Sequence, residues 1–392
     1  MKVFSKPKLI RTSTVAISLD YLLKGQLSYL QKHYDVVAVS GEDEDLENVA
    51  RREKVRTVRV PMSRKINLVQ DLKSLWKLYQ LFRKEKPQIV HSITPKAGLL
   101  SMTAAYLAGV PVRMHTFTGL IFPSKTGLFH WLLKNMDRCT CAFANHIVPE
   151  GKGVKNDLIR YRITRKPLKV IGHGNVNGID TTYFSRSALN DAEIQQTRNT
   201  WNIQTGDFVF VFIGRLVKDK GINELVFVFV RINKLHPNTK LLLVGPFEQQ
   251  LDPVSPVTLD LIKTHPAIIH TGFQKDVRPY LAISDALVFP SYREGFPNVP
   301  MQAGAMGLPS IVTDINGCNE IIQDGVNGII IPAKDAFALE NAMIELLENR
   351  EKRERLAQNA RPLIVERYEQ QMVWQLIKQE YDEQLKRVGA RL

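Results

Sequence analysis

Cysteine is scarce: Cys139, Cys141 and Cys318 are the only three in 392 residues. Three thiols are too few for a disulfide framework or for a four-ligand zinc site built on cysteine alone, and they fit a reducing compartment. No uninterrupted apolar run reaches the roughly 18–20 residues that span a bilayer. Thr14–Leu19, after a lysine-bearing start, loosely imitates a secretory leader, but Asp20 and Lys24 cut it short and a core strand fits it better. Fixed-period repeats and low-complexity tracts are absent, which excludes solenoids and biased linkers. Acidic residues are in deficit, 39 Asp+Glu against 53 Lys+Arg.

What is present is an ordinary globular composition, 44% hydrophobic and 23% charged, in a chain long enough for two or three domains. The formal net charge of +14 calls for a polyanionic partner: nucleic acid, an acidic membrane surface or a phosphorylated ligand. Its distribution is uneven. Residues 1–178 hold 30 Lys/Arg and 13 Asp/Glu, a surplus of 17, whereas residues 179–392 hold 23 and 26, a deficit of 3.

In the first half, short apolar runs alternate with helical patterns. Strands are expected at Leu9–Ile17, Asp35–Ser40, Gln88–His91, Pro111–Phe117, Ile147–Pro149 and Leu168–Gly172. Between them, Leu22–His33 reads as amphipathic. Leu68, Leu72, Leu75, Leu78, Leu81 and Phe82 recur at helical spacing up to the stop at Pro87, and Pro95 opens a helix through Ala108. The pattern loosens over 173–205, with a polar helix at Asp191–Trp201, and then resumes. Further strands are expected at Phe208–Ile213, Thr239–Val244, Ala267–His270, Ala286–Phe289 and Ser310–Thr313, with a helix at Asn223–Leu235. Ala336–Leu385 is helical by composition. Such alternation implies two α/β units in tandem, each with a parallel sheet.

Four loops of the second half follow strands, and in an open parallel sheet ligands bind beyond the strand C-termini. Gly214-Arg-Leu-Val-Lys-Asp-Lys-Gly221 sets Arg215 and Lys220 before a helix N-terminus, where cations and backbone N–H groups suit phosphate. Alone, it reads equally well as a solvated basic turn. Ser291 to Pro309 contains Glu294-Gly295-Phe296-Pro297-Asn298 and then Gln302; Glu294 reads also as a carboxylate near a helix start. Gly295, Gly304 and Gly307 weaken a helix unless close packing or a ligand needs them. Thr313–Ile322 with Asp324–Gly328, and Thr271-Gly-Phe273-Gln274-Lys-Asp276, complete the set.

Together these stretches resemble the retaining, nucleotide-sugar-dependent glycosyltransferases of family four. The resemblance is dense over Phe208–Pro332 and thinner through the first half. It implies the α/β GT-B fold, two Rossmann-like parallel-sheet domains facing a cleft: an acceptor-binding domain over 1–178, a nucleotide-sugar-binding domain over 179–365, and a C-terminal helix, 366–392, packing back on the first. By the resemblance, Arg215 and Lys220 neutralise the leaving diphosphate, Glu294 holds the transferred sugar, and Gly214 and the backbone of Gly295, Phe296, Pro297 and Asn298 lie near the phosphates. Phe273 and Gln274 border the base. The Glu-x7-Glu signature ends here in Gln302, and an amide bonds a ribose hydroxyl more weakly than a carboxylate does.

In the first half, by the resemblance, Gly25 stands where such enzymes place a glycine loop beside the donor phosphates, though it reads nearly as well as an ordinary helix start. Lys96, at a helix N-terminus after a strand, is a candidate to face an acceptor phosphate, and Thr118 occupies the position of a histidine near the reacting sugar. His115 lies three residues earlier and reads equally as a core histidine. The run Asp43-Glu-Asp45 imitates a metal motif of another fold, but a solvated helix cap explains it. No metal or other cofactor is expected. Ile121–Lys134 is aromatic and basic, and reads either as a membrane-interface segment or as a core helix. Arg160, Arg162, Arg165 and Lys166 form a basic cluster that reads either as a solvated basic face, the commoner case for a charge run, or as a surface for anionic headgroups.

The resemblance thus implies transfer of a hexose or N-acetylhexosamine from a nucleotide sugar, a UDP-sugar by expectation, to a saccharide or polyprenyl-diphosphate acceptor in surface polysaccharide assembly. The setting is cytoplasmic, peripheral at an anionic membrane surface. A nucleotide-sugar 2-epimerase of the same fold is the first alternative. A nucleic-acid binder is the second, and no helix-turn-helix, RNP-type or zinc pattern supports it.

Overall fold

Short β-branched and aromatic runs closed by turn residues become the strands of two six-stranded parallel sheets. The computed structural model describes residues 6–41, 45–63, 66–248 and 252–389. Two units result: Met1–Gly178 with Gln370–Leu392, and Ile179–Glu369.

The first unit runs β1 (Lys8–Thr12), α1 (Ala16–Leu22), α2 (Gln26–Gln31), β2 (Asp35–Ser40), α3 (Asp45–Glu53), β3 (Arg56–Arg59), α4 (Leu68–Glu85), β4 (Ile89–Ile93), α5 (Pro95–Leu107), β5 (Val112–Phe117), α6 (Gly127–Phe143), β6 (His146–Pro149) and α7 (Lys152–Arg160). Its sheet has the order β3-β2-β1-β4-β5-β6. The expected strand Leu9–Ile17 is shorter, because Ser13 turns the chain with its hydroxyl on the Val15 carbonyl (2.6 Å) and α1 begins at Ala16. Leu168–Gly172 forms no strand beyond a single bridge from Leu168 to Ile147; Pro167 before it has no N–H to donate. The edge strand β3, Arg-Thr-Val-Arg, lacks the apolar signal because neither face is buried. Glu42–Glu44 lie outside the described residues, and Asp45 starts α3.

The second unit runs α8 (Asp191–Thr200), β7 (Phe208–Ile213), α9 (Ile222–Leu235), β8 (Thr239–Val244), α10 (Pro256–Thr264), β9 (Ile268–Gly272), α11 (Arg278–Ala282), β10 (Ala286–Phe289), α12 (Asn298–Ala305), β11 (Ser310–Thr313), α13 (Cys318–Ile321), β12 (Gly328–Ile331), α14 (Ala336–Glu348) and α15 (Arg350–Tyr368). Its sheet order, β12-β11-β10-β7-β8-β9, repeats that of the first unit. In each sheet the order of connection reverses at one place, β1/β4 and β7/β10, and there two loops leave neighbouring strand ends. The second unit extends to Glu369 rather than 365, because α15 stays on it through Tyr368, whose ring meets Phe296 edge-on at 5.6 Å.

α16 (Gln370–Arg387) then belongs to the first unit. Val373, Trp374, Ile377, Tyr381 and Leu385 form its buried stripe, at helical spacing. Gly25, at φ 81°, caps α2, and a Cβ there would lie 2.6 Å from the Trp374 ring. The Trp374 indole N–H donates to Asn177 Oδ1 (2.7 Å), and the Tyr34 hydroxyl to Asp382 (2.6 Å). The Tyr381 hydroxyl sits between buried Arg11 and His91 Nδ1, 2.6 Å from each. Glu380 meets His146 Nε2 at 2.9 Å and pairs with Lys169. Burial alone would raise the Glu380 carboxyl, but His146, Lys169 and Gln384 hold it at about 2.

Two outcomes follow. Trp374→Ala lowers stability by about 3–5 kcal/mol in urea unfolding, whereas the exposed Gln371→Ala stays within about 0.5 kcal/mol. The folded-state pKa of Glu380 lies below its ordinary 4.5. Its contribution is therefore complete above about pH 4.5 and is lost as pH falls toward about 2, and Glu380→Gln flattens the stability curve in that acid window.

Candidate active site

The central strand β7, Phe-Val-Phe-Val-Phe-Ile, is buried on both faces and delivers the chain to Gly214 at its C-terminal end. The loop then carries Arg215 and, after one 3₁₀ turn, Lys220. Gly221 ends that turn at φ 72° and caps α9; a Cβ there would lie 2.2 Å from the Pro290 carbonyl oxygen. Only glycine lets the β7 loop lie against the β10 loop this closely.

The approach joins Lys220 to Glu294, 74 residues apart in sequence: the ammonium pairs with Glu294 Oε1. The Ser291 hydroxyl donates to the same oxygen at 2.8 Å. Lys220 is 16% and Glu294 15% exposed, so their charges act in a medium less polar than bulk water. The two loops are joined further. The Tyr292 N–H donates to the Asp219 carbonyl (2.8 Å), Arg293 pairs with Asp219 (3.0 Å), and the Tyr292 hydroxyl donates to Glu224 (2.5 Å). Burial and the neighbouring Glu224 push the Tyr292 phenol above its ordinary pKa.

Arg215 is 53% exposed and pairs with Glu248 beyond β8, beside a pocket of about 290 Å³ lined by Leu216, Phe247, Pro253, Val254 and Leu259. Phe273 is exposed beyond the edge strand β9, and the Gln274 amide donates to the Thr271 carbonyl (2.8 Å). α12 begins only at Asn298, so Glu294 belongs to the loop and Gln302 sits one turn into the helix, half-buried.

Several of the marked residues have packing or pairing partners of their own. Phe296 is 6% exposed and packs in the core on Tyr368, and Pro297 is buried beside it. Gly304 lets α12 close on α15, a Cβ there falling 2.7 Å from Ile364. Gly25 donates its N–H to Glu53 (2.8 Å) and presents its face to Trp374, so packing of α16 accounts for it. A pocket of about 330 Å³ opens beside it, between Lys24, Arg52 and Trp374. Lys96 is 7% exposed, and both oxygens of Asp71 take its ammonium, at 2.8 and 3.0 Å. His115 is a core histidine: it is buried, bonded to Ser92 at 2.8 Å, and burial pushes its imidazole down to about 3. Thr118 stands half-buried just past β5.

Sequence reasoning passed over Ser291, Tyr292, Asp219, Glu224 and Glu248. Only the Ser291-to-Glu294 spacing, a short loop reach, gave any local signal. Cys139 is exposed, and Cys141 is buried with its thiol pushed up to about 12. Among the described residues no three His, Cys, Asp or Glu side chains group as metal ligands.

The family model for glycosyl transferases group 1 matches residues 193–362, and that for glycosyltransferase family 4 matches residues 23–182. The chain is 30% identical over 381 residues to the capsular polysaccharide biosynthesis glycosyltransferase CapM of Staphylococcus aureus, covering 97% of this chain and 98% of that one. It is 30% identical over 308 residues to the UDP-Gal:alpha-D-GlcNAc-diphosphoundecaprenol alpha-1,3-galactosyltransferase of Escherichia coli, with 76% of each covered. In structure it is similar to HepE of Anabaena in complex with UDP, with a TM-score of 0.80, 17% identity and 96% of this chain and all of that one covered. A glycosyltransferase of Rickettsia africae gives a TM-score of 0.81 at 18% identity, covering 98% of this chain and 100% of that one. The chain belongs to the family-four, group 1 glycosyltransferases and has their GT-B fold.

Proposed function

We propose that the protein moves a hexose or N-acetylhexosamine, with retention, from a UDP-sugar to an acceptor carried on a polyprenyl diphosphate in surface polysaccharide assembly. The observation that carries this is the Lys220–Glu294 pair at the β7/β10 switch point. A diphosphate entering there takes the Lys220 ammonium, and Glu294 is released to accept hydroxyls of the sugar. The bond from the anomeric carbon to the phosphate oxygen breaks with its electrons going to the diphosphate. Lys220 and Arg215 stabilise that charge as it develops. The acceptor hydroxyl oxygen bonds to the anomeric carbon from the face the diphosphate leaves, and its proton passes to the departing diphosphate oxygen. Two cations do the electrostatic work, so a metal is not required.

The lipid diphosphate follows the E. coli relative, whose name specifies a diphosphoundecaprenol acceptor and UDP-Gal. Binding of the acceptor is assigned to the first unit, where Thr118 is the remaining candidate at a strand end. Gln302 bonds the ribose through its amide carbonyl.

Such an acceptor requires a membrane surface, and the first unit is suited to one. On α4 the leucines that recur at helical spacing divide: Leu78 and Phe82 are buried, but Leu68, Val69, Leu72 and Trp76 are 76%, 65%, 65% and 59% exposed. On α6, Leu128 and Trp131 are 79% and 61% exposed, so Ile121–Lys134 is not only a core helix. Both helices follow parallel strands and share one face with α5, so their first turns lie at the same end of the unit. Lys73, Lys77 and Lys125 are exposed among them, whereas the exposed Arg160, Arg162 and Arg165 lie toward the other end of α6, where Arg138 donates to the Arg162 carbonyl and Lys166 to the Cys141 and Ala142 carbonyls. Apolar tips beside lysines suit a headgroup boundary, and the arginines add a separate cationic face. Among the described residues no helix is long and apolar enough to cross a membrane.

Two experiments test the reading. With a lipid-diphosphate acceptor, UDP-sugars and EDTA, the protein turns over, and Lys220→Ala and Glu294→Ala each lower kcat about a hundredfold or more while circular dichroism stays unchanged; full turnover in both variants overturns these roles. In co-sedimentation with anionic vesicles, Arg160→Glu/Arg162→Glu/Arg165→Glu and Leu72→Ser/Trp76→Ser each weaken partitioning about tenfold without changing donor binding. Unchanged partitioning in both removes the membrane role.

A further inference from the structure

Glu294 is held from two sides, and the two holds differ in kind. Lys220 is a long, flexible cation on the β7 loop. Ser291 is fully buried on the same loop as Glu294, three residues before it, and donates its hydroxyl to Oε1 at 2.8 Å. Ser291 is itself fixed from behind: the Thr313 hydroxyl, at the end of β11, donates to the Ser291 carbonyl, and the next residue's N–H donates to the Asp219 carbonyl at 2.8 Å. The Tyr292 ring is anchored on Glu224 by its hydroxyl and lies beneath the Lys334 ammonium at 4.9 Å. Three strand-end loops, after β7, β10 and β11, thus converge on one serine.

We infer that Ser291 is a positioning residue of the transfer reaction: it keeps Glu294 Oε1 in place when Lys220 leaves it for the incoming diphosphate. In the apo protein the ammonium and the hydroxyl share that oxygen. Once the ammonium turns to phosphate, the carboxylate would be free to rotate and to draw water, and the Ser291 hydroxyl is the neutral donor that remains. A neutral donor suits this place, because a second cation would compete with the sugar hydroxyls for the carboxylate. The groups facing Glu294 are Lys220, Ser291 and, from α13, the buried thiol of Cys318, whose pKa burial and the Glu294 charge push up.

This inference rests on the proposed role of Glu294, and the test separates the two. Ser291→Ala, Ser291→Thr and Glu294→Gln are compared in the full chain, with the exposed Thr264→Ala as the unaltered control. Ser291→Ala is expected to lower kcat about tenfold to a hundredfold, the scale of a lost hydrogen bond to a charged group, with the donor KM changed much less. Ser291→Thr, which keeps the hydroxyl, restores part of the rate. Adding Ser291→Ala to Glu294→Gln costs little more, because the two act through one oxygen. Wild-type kcat in Ser291→Ala, beside an inactive Glu294→Gln, overturns the positioning role and leaves the Glu294 reading intact. Full activity in Glu294→Gln overturns both. If Ser291→Ala loses stability, the Ser291→Thr rate and the double-variant comparison at a temperature where both are folded still decide: a full additive loss overturns the proposal.

Discussion

A doubly wound parallel sheet has one place where neighbouring strands send their chains to opposite sides, and both units of this protein are arranged around it. In the second unit that place brings the loops after β7 and β10 so near that a side chain on Gly221 would overlap the Pro290 carbonyl. The Lys220–Glu294 pair exists because of this backbone contact. Neither charge sits well alone at 15–16% exposure, since desolvation without a partner is costly; together they neutralise each other until a ligand supplies other partners. Asp219, Ser291, Tyr292 and Glu224 then appear as the members of a network that sets two loops in register.

The first unit has the same strand order and a different use of it. Its closing element is α16, which comes from the far end of the chain and fills the space over α2 with Trp374 and Tyr381. Gly25, marked as a donor-side residue, is drawn into this packing and admits the Trp374 ring; His115 and Lys96 are enclosed on the sheet and on α5, against Ser92 and Asp71. What the unit leaves outward is cationic and apolar: the first turns of α4 and α6 and the arginines after α7.

The architecture was largely legible. Asp35–Ser40, Phe208–Ile213, Thr239–Val244, Ala286–Phe289 and Ser310–Thr313 form strands with the bounds their apolar runs suggest, because central strands of a parallel sheet are buried on both faces and show continuous hydrophobicity. The edge strand Arg56–Arg59 gave no such signal, since it is not buried. The α4 stripe was legible as a helix and not as a surface: its 3.6-residue period is a local property, while whether Leu68 and Leu72 meet a partner depends on neighbours the period does not encode. In the site, Lys220 and Glu294 were marked by their loops, but Ser291 was not, because a serine near a strand end is common and only its contact with Oε1 distinguishes it.

By itself, then, the sequence determined the alternation of strands and helices, the placement of charge in the first 178 residues and the loops that follow the strands of the second unit, all of which depend on residues close together in the chain. Tertiary structure decided the pairings. Lys220 finds Glu294 across 74 residues and His91 finds Tyr381 across 290, and the strand order, not any local pattern, sets those distances. It also decided which marked residues are enclosed and which face water, because burial is a property of the packed neighbours and not of the residue type.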